Sequence, residues 1–293
     1  LTRKEYYEDA YLNYLTCYVP YHHEVGSFGN NDEQHNQFFH NAMWKIFSAH
    51  KDSFNLAKKH AANNAKNICI TGFPAMEKII ELKNTTNLRD PWKTNDGRKR
   101  IIWAPHHIIT ESINQSNFLE YADFFKYLAR KYKNKAVWVF KPHPILKSKL
   151  QNHPDWGFEK TKKYYNFWEN QEYTQLELSS YENIFITSDC LIHDCGSFLA
   201  EYLYIEKPVM YLLNKNHTGQ FFNTFGKKAL FSCRIGKSSN DIEIFLSQII
   251  ETQLSITNNH KKFIEENVTP YFEKKLPSTT IIDILKDNIK IET

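Results

Sequence analysis

The stretch "AVWVFKPHPILKSKL" (residues 136–150) decides how the chain is read. Ala136 to Phe140 form an apolar run short enough to be a buried strand. The run stops abruptly at Lys141-Pro142-His143-Pro144. Proline fixes the backbone angles, so the turn is stiff. A stiff turn lowers the entropy lost when its lysine and histidine hold a ligand. A helix is expected to start at Pro144 and run to Leu150.

Outward from this point, strands and helices alternate. Upstream, "RIIWAP" (residues 100–105) reads as a strand and residues 118–132 as a helix with apolar residues at helical spacing. Downstream, "DCLIHD" (189–194) reads as a strand, 197–204 as a helix and "KPVMYLL" (207–213) as the next strand. Helices are expected near 241–251, 260–266 and 278–288. Earlier in the chain, helices are expected at 5–15, 32–44, 53–65 and 75–82, with strands at 16–21 and 67–74. Such alternation predicts an α/β fold built on parallel sheets with helices on both faces. Ligands of these sheets sit at the carboxyl ends of the strands, where Lys141 and His143 fall.

The polar stretch 83–100, with Pro91 and Gly97, reads as a linker. The expected division is a first domain over 1–90, a second over 91–262 and terminal helices over 263–293 able to cross back to the first. The first domain is short, and the chain begins at Leu1, so further upstream sequence is expected.

The 293 residues are 41% hydrophobic and 24% charged, a globular composition. The net charge of +4 suits an anionic substrate or contact with an anionic membrane surface. There is no dense Lys/Arg stripe for nucleic acid. No apolar run is long enough to span a bilayer, and no signal peptide is visible. The five cysteines, Cys17, Cys69, Cys190, Cys195 and Cys233, are odd in number and scattered, as in reduced, mostly buried thiols of a cytoplasmic protein.

Four strand-end motifs carry candidate chemistry. Lys141 and His143 form the first. In the second, "HDCGSFLAE" (193–201), Asp194 ends a strand, Gly196 and Ser197 turn, and a helix follows. Ser197 is a good N-cap, and free N–H groups at that end favour phosphate. An ordinary strand–turn–helix corner is the competing reading, and Glu201 is then a solvated carboxylate. The third is "WAPHH" (103–107), with His106 and His107. The fourth is "YVPYHHEVG" (18–26), where His22 or His23 could take a proton from an attacking hydroxyl. Loop histidines without a role are the alternative in both. Cys190, His193 and Cys195 lack zinc spacing, and there is no HExxH or DxD, so no metal site is expected. With no GxxxxGK[ST] or GxGxxG, neither a P-loop nor the usual dinucleotide fingerprint is supported.

Taken in order, "ITGFP", "WAPHH", "FKPHP" and "HDCGSFLAEYLYIEKPVMYL" resemble the CDP-glycerol glycerophosphotransferase family, the teichoic-acid and capsule polymerases. The resemblance covers residues 18–213. It implies a GT-B-like fold of two Rossmann-type domains facing a cleft, the first short or truncated. It implies metal-independent transfer of a polyol phosphate from a CDP-linked donor to a polyol-phosphate or saccharide acceptor, with no cofactor. The implied setting is the cytoplasm, at the inner face of the plasma membrane. On this resemblance His143 binds or activates the donor phosphate, with Lys141, His106, Asp194, Gly196, Ser197 and Glu201 around it. His22 or His23 is the catalytic base. Three departures stand out: Cys195-Gly196 replaces Tyr-Ser, His106 replaces a threonine, and Tyr21-His22-His23 replaces Trp-His-Gly. A GT-B glycosyltransferase using a nucleotide sugar and a non-catalytic polymer-binding module are the two rival readings.

Overall fold

Residues 13–27, 31–109, 116–214 and 221–289 are described by the computed structural model. Most of the helix expected over 5–15 lies outside them. In chain order the elements are β1 (Cys17–Tyr18), α1 (Asn31–His35), α2 (Phe38–Ala42), β2 (Lys45–Ser48), α3 (Lys51–His60), β3 (Ile68–Ile70) and α4 (Glu77–Lys83). Next come β4 (Lys99–Ala104), α5 (Phe118–Lys131), β5 (Ala136–Phe140), α6 (Leu146–Gln151), α7 (Gly157–Asn170), β6 (Thr174–Leu176), α8 (Glu182–Thr187) and β7 (Cys190–His193). The rest are α9 (Gly196–Glu201), β8 (Val209–Leu212), α10 (Thr224–Ser232), β9 (Arg234–Gly236), α11 (Ser239–Glu251), α12 (Asn258–Asn267), α13 (Thr269–Phe272) and α14 (Pro277–Asn288).

The chain divides into two compact units. One holds residues 1–77, 221–228 and 262–293; the other holds 78–220 and 229–261.

The first unit carries a three-stranded parallel sheet in the order β1–β2–β3. Ile46 pairs with Ile68 and Cys17 with Lys45. α3 follows β2 and is capped by His50, whose Nδ1 accepts from Ser53 N at 3.0 Å. Asp52 near its start and Lys58, Lys59 and His60 at its end complement the helix dipole. The C-terminal segment is fastened into the same unit. Ser278 donates from its N–H and hydroxyl to Glu77, at 2.6 and 2.8 Å. Gly72, at φ +86°, approaches Tyr271 so closely that a Cβ would lie 2.7 Å from the Tyr271 Cβ.

The second unit carries a six-stranded parallel sheet in the order β6–β5–β4–β7–β8–β9. Counted from β4, that order is 3-2-1-4-5-6, the doubly wound arrangement whose direction of winding reverses between its first and fourth strands. β5 is fully buried, as its apolar run predicts. α5 buries Phe118, Tyr121, Ala122, Phe125, Leu128 and Ala129, one stripe at helical spacing. Trp103 of β4 stacks on Phe125 at 4.0 Å and lies 5.2 Å from Phe140. Trp168 of α7 joins this aromatic core.

Several expectations are corrected. Residues 32–44 are two short helices, not one. Trp44 already donates its N–H to Thr16 O at 2.9 Å, so the backbone there has left helical bonding before β2 begins. The helix expected to reach Ala65 stops at His60, because the backbone turns extended at Ala61, with φ −70° and ψ 136°, and Asn64 and Ala65 then adopt positive φ. The stretch taken as a linker is tied along the second unit. Trp92 Nε1 donates to Thr187 Oγ1 at 2.9 Å, and Gln175 exchanges bonds with Lys93 N and Pro91 O at 2.8 and 3.0 Å. Of the five cysteines, Cys190, Cys195 and Cys233 are buried and Cys17 is exposed.

Candidate active site

β4 is flanked by β5 and β7, all parallel, so the turns after these three strands gather at one end of the sheet. The reversal of strand order falls between β4 and β7, where such sheets open a crevice for ligands. Backbone bonds tie the turns together: Lys141 N donates to Trp103 O at 2.8 Å and His143 N to Pro105 O at 3.3 Å.

Three imidazoles meet there. The His107 ring lies 4.0 Å from His143 and 4.4 Å from His106, and His106 lies 5.8 Å from His143. His143 Nδ1 accepts from Ile145 N at 3.2 Å, and His106 Nδ1 from Ile108 N at 3.3 Å. His107 Nδ1 meets Lys149 Nζ at 3.0 Å. Burial, then the neighbouring His143 and Lys149, pushes His107 down to about 4. Burial, then Lys149 and Lys141, lowers His143. Both rings are thus neutral near pH 7, and with Nδ1 occupied the ring proton sits on Nε2.

Lys141 is buried, and its Nζ donates to Ser179 O at 2.8 Å. Burial lowers its pKa, against an opposing pull from Glu177.

Asp194 is buried, and its oxygens are taken up by the chain after β4. It accepts from His106 N and Asn117 N, both at 2.5 Å, from Asn117 Nδ2 at 3.3 Å and from Ser116 Oγ at 3.4 Å. Burial raises it to about 6, while those donors act to lower it.

The helix after β7 begins at Gly196, with Cys195 as the cap residue, so Ser197 lies inside the first turn and does not cap it. No side chain caps this end. Ser197 is exposed. Cys195 Sγ donates to Ala104 O at 3.3 Å, a second link between the ends of β7 and β4.

Glu201 is 6% exposed, which overturns its reading as a solvated carboxylate. It is hydrogen-bonded to the Tyr181 hydroxyl, and its Oε2 has no partner among the described residues. Burial raises it to about 7.

In the first unit, His22 is half-buried and its Nδ1 accepts from Glu24 N at 2.7 Å, so the neutral ring carries its proton on Nε2. His23 is buried, edge-on to Phe73 at 4.4 Å, and desolvation lowers it well below the usual range. The turn is clamped on two sides. His50 Nε2 donates to His23 O at 2.6 Å while Ser53 Oγ bonds the Glu24 carboxylate. Asn223 donates from its N–H to Val25 O at 3.0 Å and from its side chain to Glu24 O. Glu24 itself holds φ at +51°.

The candidate residues thus fall into two sets. His22 and His23 belong to the first unit; Lys141, His143, His106, Asp194, Gly196, Ser197 and Glu201 belong to the second. Among the described residues no group of three His, Cys, Asp or Glu is placed to hold a metal. The sequence reading passed over Lys149, although its place one turn along the helix after His143 was a usable signal. It also passed over Asn117, Tyr181, His50 and Asn223, which are joined to the site residues only by tertiary contacts.

This architecture is a GT-B-like α/β fold, shared with solved enzymes of low identity. The wall teichoic acid polymerase TagF superposes with a TM-score of 0.59 at 13% identity, covering 94% of this chain and 70% of that one. A TagF variant soaked with CDPG gives 0.52 at 16%, covering 84% and 59%. The UDP-GlcNAc 2-epimerase from Neisseria meningitidis bound to UDP-GlcNAc gives 0.52 at 18%, covering 90% and 69%. No curated protein matches the chain significantly in sequence. Residues 23–218 match the family model of CDP-glycerol:poly(glycerophosphate) glycerophosphotransferase. The chain belongs to that family.

Proposed function

We propose that the chain moves a polyol phosphate, glycerol phosphate or a close analogue, from a CDP-activated donor to a hydroxyl of a growing cell-surface polymer. The observation that carries this is the meeting of His106, His107 and His143 at the switch point of the second sheet. The acceptor oxygen forms a bond to the β-phosphorus, the bond from that phosphorus to the bridging oxygen breaks, and CMP leaves with the bridging oxygen. His22 or His23 takes the acceptor's proton. His143 and the N–H groups at Gly196 and Ser197 hold the diphosphate, and Asp194 fixes the turn that carries His106. Such a transfer needs mainly positioning and charge stabilisation, which these residue types supply. No helix among the described residues is long and apolar enough to cross a membrane. On this reading the protein meets a membrane-borne acceptor at its surface.

The test follows CMP release from CDP-glycerol with a glycerol-phosphate oligomer as acceptor. Wild type is expected to turn over, and His143→Ala to lose at least a hundredfold. A folded His143→Ala protein within tenfold of wild type removes His143 from the chemistry. Release of UDP from a UDP-sugar, with CDP-glycerol inert, would replace this reading with glycosyl transfer.

A further inference from the structure

The partner of Lys149 is the unexplained feature of the site. Among the described residues its Nζ bonds His107 Nδ1 at 3.0 Å and pairs with no carboxylate. Two basic groups share a hydrogen bond only when the imidazole is neutral, and the ring is then obliged to present Nε2–H. His143, 4.0 Å away with its own Nδ1 taken by Ile145 N, presents Nε2–H in the same way. The other charged and titratable groups nearby do not neutralise the lysine. Lys141 turns its Nζ to Ser179 O, and His106 Nδ1 accepts from Ile108 N. One ammonium and two fixed N–H donors, half-buried and with no carboxylate on the lysine among the described residues, match the two non-bridging oxygens of a phosphoryl group.

We propose that Lys149 and His107, with His143, read the second phosphate of the donor, so that the site distinguishes a nucleoside diphosphate from a monophosphate. This deepens the proposed function and rests on it for the cytidyl moiety. Its consequence is directional. The donor engages Lys149, His107 and His143 through its β-phosphate. CMP, once formed, lacks that phosphate and keeps none of the three contacts. The β-phosphate passes to the extended polymer, so these side chains separate the donor from CMP.

Isothermal titration of the full chain with CDP, CMP and inorganic pyrophosphate tests this. Wild type is expected to bind CDP at least tenfold more tightly than CMP. Lys149→Ala, Lys149→Gln and His107→Ala are each expected to weaken CDP and pyrophosphate at least tenfold and leave CMP within twofold. Lys149→Arg is expected to retain most of the preference. Variants that keep the wild-type ratio of CDP to CMP affinity overturn the proposal, as does a wild type that binds neither CDP nor pyrophosphate. Pyrophosphate bound with the expected dependence on Lys149 and His107, but no cytidine nucleotide bound, would uphold the subsite and discard the donor reading. Because Lys149 lies on the surface of α6, its substitution leaves the core intact, and thermal melts verify folding.

Discussion

The Asp194 carboxylate accepts the backbone N–H of His106 at 2.5 Å, so the end of β7 fixes the turn that follows β4. The same group accepts Asn117 N, and Asn117 Nδ2 donates onward to Leu212 O at 2.9 Å at the end of β8. One buried carboxylate thus fixes one strand end directly and a second through Asn117. Its oxygens are taken up by the donors that hold the turn carrying His106.

Asp194→Ala should leave the N–H groups of His106 and Asn117 and the Ser116 hydroxyl buried without their acceptor. Each orphaned donor costs about 1–3 kcal/mol, so the variant is expected to lose about 3 kcal/mol or more of unfolding free energy. Asp194→Asn keeps one acceptor oxygen and should lose less. Urea unfolding of the two variants side by side measures the difference.

Glu201 should make the second unit more stable in mild acid. Its pKa rises from 4.5 in the ordinary range to about 7 in the fold, so between those values the folded protein holds a proton that the unfolded chain releases. The contribution is fully present below about pH 4.5 and is lost as pH rises through about 7. Glu201→Gln removes this titration. It is expected to exceed wild type in stability at pH 8 by up to about 3 kcal/mol and to match it by pH 5. Asp194, raised in the same direction, leaves a residual slope in the variant. Urea unfolding at pH 5, 6.5 and 8 follows the crossover.

Gly226→Ala should disrupt the grip on the histidine turn. A Cβ there would lie 2.1 Å from Val25 O, which no rotamer change relieves because both partners are backbone. A loss of about 3 kcal/mol is expected. A variant melting within a degree of wild type would contradict this placement of residue 226.

His50 is expected to matter to turnover and not to donor binding. It caps α3 and donates to His23 O, and its ring stacks on Phe225 at 3.7 Å. Burial holds it neutral, at about 4. His50→Ala removes both bonds and should cut CMP release at least tenfold while the KM for CDP-glycerol stays within twofold. A rise in KM with unchanged kcat would place His50 elsewhere in the mechanism.

Much of the second sheet was legible because its strands are short apolar runs ended by proline or a charged turn. β5 and α5 are the best examples, the latter with six buried residues on one stripe. What escaped was built from three or four residues, such as "TQL" of β6 and "RIG" of β9, where pairing with a neighbouring strand and not local pattern makes the strand. α7 escaped because its buried face, Thr161 with the aromatic Tyr164, Tyr165, Phe167 and Trp168, is interrupted by lysines. At the site, the motifs marked the strand ends correctly, but not which polar groups face each other. Glu201 illustrates this: the competing sequence reading made it a solvated carboxylate, while it is buried and hydrogen-bonded to Tyr181 from another part of the chain.

The first unit draws its residues from three separated stretches, ending with 262–293. During synthesis, therefore, every residue of the second unit has been polymerised before Ser278 exists to meet Glu77 or Tyr271 to meet Gly72. The half bearing His22 and His23 is not complete until Tyr271 and Ser278 have been made. A single cut anywhere in the polypeptide cannot yield both halves as separate, self-contained pieces.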